Sequence, residues 1–241
     1  MARVREVFVC PPTHVELKYA INPWMDPSGP FSRELACEQW ERLVADYCEV
    51  LGPERVHRCR PAEGLTELCF FGDSVFLCEG KALFGEFRHA ERVAERPYVQ
   101  RYLLEHHKLT GTNVPPGVVF EGAGETVMWR DKILFGFGKR SDEVARHFLR
   151  QTFGHDTIDL ELESEDFYHL DTALLPLGDD LLAYYPPAFG PIDRATIESF
   201  RCEKLVVSEA DAHAFACNAV LLDGVVFGSA GVGLWDELRR R

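Results

Sequence analysis

Val118-Val119-Phe120-Glu121-Gly122, then Val127-Met128-Trp129, then Ile133-Leu134-Phe135, is an apolar run, a glycine-containing turn and further apolar runs of strand length. That is the signal of a β-hairpin. It is also one of four similar segments. Leu68–Leu77 followed by Gly80 and Ala82-Leu83-Phe84 is another. Phe167-Tyr168-His169-Leu170-Asp171, Ala173-Leu174-Leu175 and Leu181-Leu182-Ala183-Tyr184 make a third. Phe215–Val220 with Val225-Val226-Phe227 makes the fourth.

Each segment carries one polar residue in its first apolar stretch: Asp73, Glu121, His169 and Asn218, spaced 48, 48 and 49 residues apart. A polar residue in a buried strand is costly unless it is partnered or functional. Equal spacing suggests equivalent places in equivalent repeats. If the repeats close around an axis, these residues converge on one central cavity.

Between the hairpins the periodicity changes. Ser32–Tyr47 has apolar residues at helical spacing, with Ser32 as the cap. Pro97–Lys108, Ser141–Thr152 and Asp193–Phe200 also read as helices, with Pro97 at a first helical position. Short strands are expected after them at Arg55-Val56-His57, Val118-Val119-Phe120, Ile158–Leu162 and Lys204–Val207. One repeat is therefore hairpin, helix, strand. About five such units fit the 241 residues, beginning at Val7-Phe8-Val9. No linker or low-complexity segment interrupts them, so residues 1–241 read as a single α/β domain.

Composition narrows the function. The formal net charge is −13, which disfavours nucleic acid and anionic membranes as partners but suits a small cation. There is no run of ~18 apolar residues and no signal-peptide pattern. The eight cysteines form no Cys-x-x-Cys pair and sit mostly among apolar residues, so a cytoplasmic protein with reduced thiols is expected. The nine histidines show no metal-ligand spacing, and neither a metal nor a cofactor is expected.

Asp73 and Glu121 would be two carboxylates facing one cavity, with Asp171 a third. Positions two apart on a strand share a face, so His169 and Asp171 are expected to point together. Three carboxylates and an imidazole suit a delocalised cation. A guanidinium has five N–H donors in a planar fork and pairs bidentately with carboxylates. Arg88 and Arg140 lie in the loops just beyond the first two hairpins, where substrate-binding groups commonly sit.

The motifs together resemble those of the guanidine-modifying hydrolases, the family of arginine deiminases, arginine dihydrolases and dimethylargininases. Cys10–Glu16 with Ile21–Met25 resembles the family's opening segment. Phe120–Glu125 resembles its Phe-Glu-Gly motif, and Gly136–Asp142 its arginine-containing loop. Phe167–Thr172 resembles its His-Leu-Asp motif, and Phe215–Val220 its Cys-Asn-Ala-Val strand. The resemblance implies the pentein fold, a five-bladed α/β propeller of ββαβ repeats, with the last repeat incomplete here. It implies a hydrolase that acts on the guanidino group of arginine or methylated arginine to give citrulline. Asp73, Glu121 and Asp171 would grip the guanidinium, and His169 would be general acid and base. Arg88 and Arg140 would hold the carboxylate of a small guanidino amino acid.

Two departures stand out. Asp73 takes the place of an asparagine found in the dihydrolases, which favours a single hydrolysis, and Asp171 leans toward unmethylated arginine. The family's nucleophilic cysteine lies in a Gly-Gly-x-x-Lys-Cys type motif near the C-terminus, and that cysteine is absent from this chain. The chain is accordingly expected to stop in the fifth repeat, to be inactive alone, and to leave the Val7–Val9 edge exposed. Cys217 matches a core strand and is no substitute. The alternative is a non-catalytic relative that binds arginine-like ligands, or an inactive truncated form.

Overall fold

The structure is a computed structural model that describes residues 4 and 6–240. The chain divides into two compact units, one ending at Ala123 and one starting at Gly124.

The first unit opens with β1 (Val7–Val9) and α1 (Arg33–Leu51), followed by β2 (Val56–Arg58). Ser32 caps α1, its side chain accepting the Leu35 N–H at 3.1 Å. This satisfies one of the donors that a helix start leaves over. β1 and β2 pair in parallel, Phe8 opposite His57. Next come β3 (Val75–Cys78), β4 (Lys81–Phe84), α2 (Glu95–His106) and β5 (Thr110–Asn113). β3 and β4 form an antiparallel hairpin, and β5 joins β4 in parallel. The helix between them is the crossover that a parallel pair requires. Cys10, Cys59, Leu68, Phe71, Val75, Phe84, Val99 and Leu103 form this unit's core.

The second unit repeats the pattern. β6 (Thr126–Trp129), β7 (Lys132–Phe137), α3 (Ala145–Phe153) and β8 (Asp156–Glu161) form one three-stranded sheet and its helix. A short helix, α4 (Leu170–Ala173), leads into β9 (Leu174–Pro176) and β10 (Leu181–Tyr184). α5 (Pro191–Ser199) and β11 (Glu203–Val206) complete that sheet, β11 parallel to β10. Then follow α6 (Glu209–His213), the hairpin of β12 (Val220–Leu222) and β13 (Val225–Phe227), and α7 (Gly233–Arg239). Apolar residues from Trp129 to Leu234, including Leu160, Phe167, Leu182 and Ile197, form its core.

The ββαβ repeat is thus as expected, and each of the four helices falls within a few residues of its place. Two details differ. The segment Val118-Val119-Phe120 is not the parallel strand of its repeat; Thr110–Asn113 takes that role, two polar threonines and a glycine notwithstanding. Gly111 is why this works: a Cβ there would lie 2.5 Å from the Phe84 ring. Pro97 is the third residue of α2 rather than the first, still inside the turn whose N–H groups have no helical acceptor. Among the described residues no helix is long and apolar enough to cross a membrane.

Candidate functional site

The polar residues of the repeat are not strand residues. Asp73 lies in a 3-10 turn, Phe71–Ser74, that runs into β3. Glu121 immediately precedes the 3-10 turn Gly122–Gly124 ahead of β6. His169 is the N-cap of α4, which leads into β9. The expectation that they sit inside strands is corrected accordingly. What repeats is a helical turn at the mouth of a hairpin. The turn frees these residues from the ladder and lets their side chains be presented together with main-chain N–H groups. The strand argument that placed His169 and Asp171 on one face also falls, because Asp171 is a helical residue of α4.

In the first unit the turns of Asp73 and Glu121 pack on each other. Gly122 has φ +45°, and a Cβ there would stand 2.3 Å from the Gly72 carbonyl oxygen and 2.8 Å from that of Asp73. Gly85 is equally tight: its Cβ would be 2.0 Å from the Phe120 oxygen. Only glycine permits that approach. Glu86 and Phe120 bridge these segments through paired main-chain hydrogen bonds. Glu121 is fully buried, and its Oε1 accepts the Arg88 main-chain N–H at 3.1 Å. Arg88 contributes that N–H while its side chain lies on the surface.

The sequence reading missed Arg92. It is 2% exposed and donates to Asp73 Oδ2 at 2.7 Å and to Glu95 Oε2 at 2.8 Å. Glu67 Oε2 is 3.5 Å from its Nε, and the Phe87 ring lies 4.4 Å beneath its guanidinium. Three carboxylates surround one cation. Burial opposes the charge on Arg92, but Asp73 and Glu95 outweigh it and raise its pKa further. Burial pushes Glu95 up to about 7, against the pull of Arg92, with Asp73 and Glu67 adding to the rise. Arg92 stands 48 residues before Arg140, the same interval that separates Asp73 from Glu121. Arg88 does not fit that interval, so the spacing itself was the available signal.

In the second unit His169 is buried, and its carbonyl accepts the Thr172 Oγ1–H at 2.6 Å and the Thr172 N–H at 3.2 Å. The Tyr168 ring meets the His169 ring at 4.8 Å. Arg140, itself buried, lays its guanidinium over the Tyr168 ring at 4.6 Å. The buried Glu125 accepts the Leu170 N–H at 3.2 Å and so pins the first turn of α4. Gly136 makes room for this; a Cβ there would lie 2.7 Å from that of Leu170. Cys217 is enclosed, and burial, then the charge of Asp171, pushes its thiol far above the usual range. A thiol held protonated in this way is a poor nucleophile.

In the first unit Asp73 and Glu121 thus sit at two turns that pack on each other, and in the second His169 is a buried imidazole beside the Tyr168 ring that Arg140 covers.

No protein-family model matches the chain. Known proteins do. Over 98% of its length the chain is 35% identical to N(G),N(G)-dimethylarginine dimethylaminohydrolase of Mycobacterium tuberculosis, spanning 77% of that protein. It is 33% identical, over 94% of its length, to the bifunctional arginine dihydrolase/ornithine cyclodeaminase ArgZ of Synechocystis, of which it spans only 32%. Its structure matches the product-bound N-terminal domain of ArgZ with a TM-score of 0.90 and 32% identity, covering 97% of this chain and 86% of that one. It also matches the DDAH of Pseudomonas aeruginosa at a TM-score of 0.78 and 16% identity, over 99% of this chain and 89% of that one, a likeness of fold. The α/β pentein fold implied by the motifs is that of these neighbours. The chain belongs to the dimethylarginine dimethylaminohydrolase family of guanidine-modifying hydrolases.

Proposed function

We propose that the chain takes an arginine-type guanidino amino acid as its ligand and that its site is built for hydrolysis of the guanidino C–N bond to give citrulline. The observation that carries this reading is the buried carboxylate Glu121, held by the Arg88 N–H in the turn that packs on Asp73. A guanidinium, a planar fork of N–H donors, pairs bidentately with carboxylates presented in this way. Asp73, Glu121 and Asp171 receive the guanidinium in this reading. His169 is the acid and base of this reading: once a thiolate has added to the guanidinium carbon it protonates the leaving amine, and it then activates the water that displaces the thiolate; no described cysteine is assigned as that thiolate. The two units act as one catalytic-type domain. Eight free thiols fit a cytoplasmic setting.

For the α-carboxylate of the ligand we assign Arg140, with Arg88 as its partner from the first hairpin. Arg92 sits at the repeat interval, but its guanidinium is committed to Asp73, Glu95 and Glu67, so it is not assigned this role. Arg140→Ala and Arg88→Ala test the assignment: loss of a residue that contacts the carboxylate removes the preference for arginine over agmatine, which lacks that group.

Binding without turnover by this chain is the second reading, and the thiols favour it. Burial raises Cys10, Cys59 and Cys69 to about 12 and raises Cys217 further, so none of these is poised as a thiolate. Citrulline formation that Cys217→Ser abolishes would contradict it.

The ligand assignment is tested by calorimetry with arginine and citrulline. Citrulline keeps the amino-acid end but carries a neutral ureido group. Carboxylates that receive a cation should favour arginine at least tenfold. Equal affinity for the two would remove the proposed role of Asp73 and Glu121.

A further inference from the structure

Glu6, His57 and His107 come from three separate places in the first unit. Glu6 precedes β1, His57 is the middle residue of β2, and His107 is the C-cap of α2. The fold gathers them beside Phe8, whose ring stacks on His57 at 4.9 Å and meets His107 edge-on at 4.7 Å. The two imidazoles are themselves 4.7 Å apart. One ligand atom from each of the three residues lies within 4.8 Å of the other two.

His57 Nε2 stands 3.3 Å from Glu6 Oε2. That nitrogen is shielded from solvent and makes no hydrogen bond among the described residues, the nearby carboxylate included. Two ligands held tetrahedrally at ~2.0–2.1 Å from one metal ion stand about 3.3–3.4 Å apart. The pair thus already has the separation of two ligands to a shared ion. An exposed histidine–carboxylate ion pair contributes little by itself, and it does not account for a ring nitrogen of His107 lying within 4.8 Å of the other two ligand atoms.

We propose that Glu6, His57 and His107 form a binding site for a divalent transition metal of the zinc class. Two imidazole nitrogens and one carboxylate oxygen suit zinc, whereas calcium and magnesium prefer oxygen ligands throughout. Glu6 is exposed and both histidines are only partly covered, so water has access to the fourth position. The ion would tie the start of β1 to β2 and to the end of α2, three segments that sequence spacing does not connect. None of the three residues belongs to the proposed guanidinium site, so the metal's role is to hold this end of the unit together.

The test uses the tag-free full chain and zinc chloride, with calorimetry and thermal unfolding followed together. The wild type should take up one equivalent of zinc and melt at a higher temperature with it. Glu6→Gln, an exposed change that leaves the fold in place, and His57→Phe, which keeps a ring against Phe8, should each weaken binding at least tenfold. Both should lose the zinc-dependent rise in melting temperature, while Glu6→Gln still binds arginine as the wild type does. No zinc uptake by the wild type, or uptake unchanged in both variants because the thiols hold the metal, would overturn the proposal.

Discussion

Arg92 is the residue on which the first unit's charge balance turns. It neutralises one negative charge, yet Asp73, Glu67 and Glu95 all crowd it. Three carboxylates cannot all ionise beside one cation in a buried site without cost, and burial pushes up the pKa of Glu95, the deepest of the three. Its pKa rises from 4.5 to about 7 on folding, so the folded chain binds a proton that the unfolded chain has released. The stability this gives is fully present below pH 4.5 and is lost as pH rises through about 7. The window spans on the order of 3 kcal/mol. Urea unfolding of Glu95→Gln should therefore lack the decline that the wild type shows between about pH 4.5 and 7. Parallel profiles would place the proton elsewhere. Removing the cation instead leaves three carboxylates uncompensated, so Arg92→Met should destabilise by about 3–5 kcal/mol. The positions of Asp73, Glu121 and His169 were legible because each is a polar residue in an apolar run at a fixed interval. Arg92 was not, because an arginine in a loop has no apolar background to mark it; only its interval to Arg140 does.

The hairpin with its helix and parallel strand was the most readable element, since apolar runs and Gly turns announce both periods. What the pattern concealed was the turn at each hairpin's mouth. Phe70-Phe71-Gly72-Asp73-Ser74-Val75 is apolar enough to pass for continuous strand, but Phe71–Ser74 coils into a 3-10 turn and the ladder begins only at Val75. The reason is tertiary. The Gly72 and Asp73 carbonyls face Gly122, and an extended chain could not pack so closely. Gly122→Ala should cost at least about 2 kcal/mol, from a left-handed φ and a collision with the Gly72 oxygen together. Gly117 also has a positive φ, but a Cβ there meets open space, so Gly117→Ala isolates the conformational part. Chemical unfolding of the two variants measures the difference, and arginine affinity should fall only for Gly122→Ala. Equal losses of stability would mean that the contact between these turns does not hold Asp73 and Glu121 in place.

Across the whole chain, a net charge of −13 draws in a small cation and repels polyanions. The repeat places its polar residues in or just before the turn that leads into each hairpin, so the fold and the candidate site were read from the same pattern. The exceptions are contacts between segments far apart in sequence, such as Glu125 with Leu170 and Glu6 with His57, which no local period encodes. The proposed function has the repeat's carboxylates and histidine serve one guanidino ligand. Calorimetric titration of L-arginine into Glu121→Gln tests it most directly, because that change keeps the side chain's shape and removes only its charge. The wild type should bind arginine, and Glu121→Gln, still folded by its thermal melt, should bind at least tenfold more weakly. A folded Glu121→Gln that binds arginine as the wild type does would contradict it.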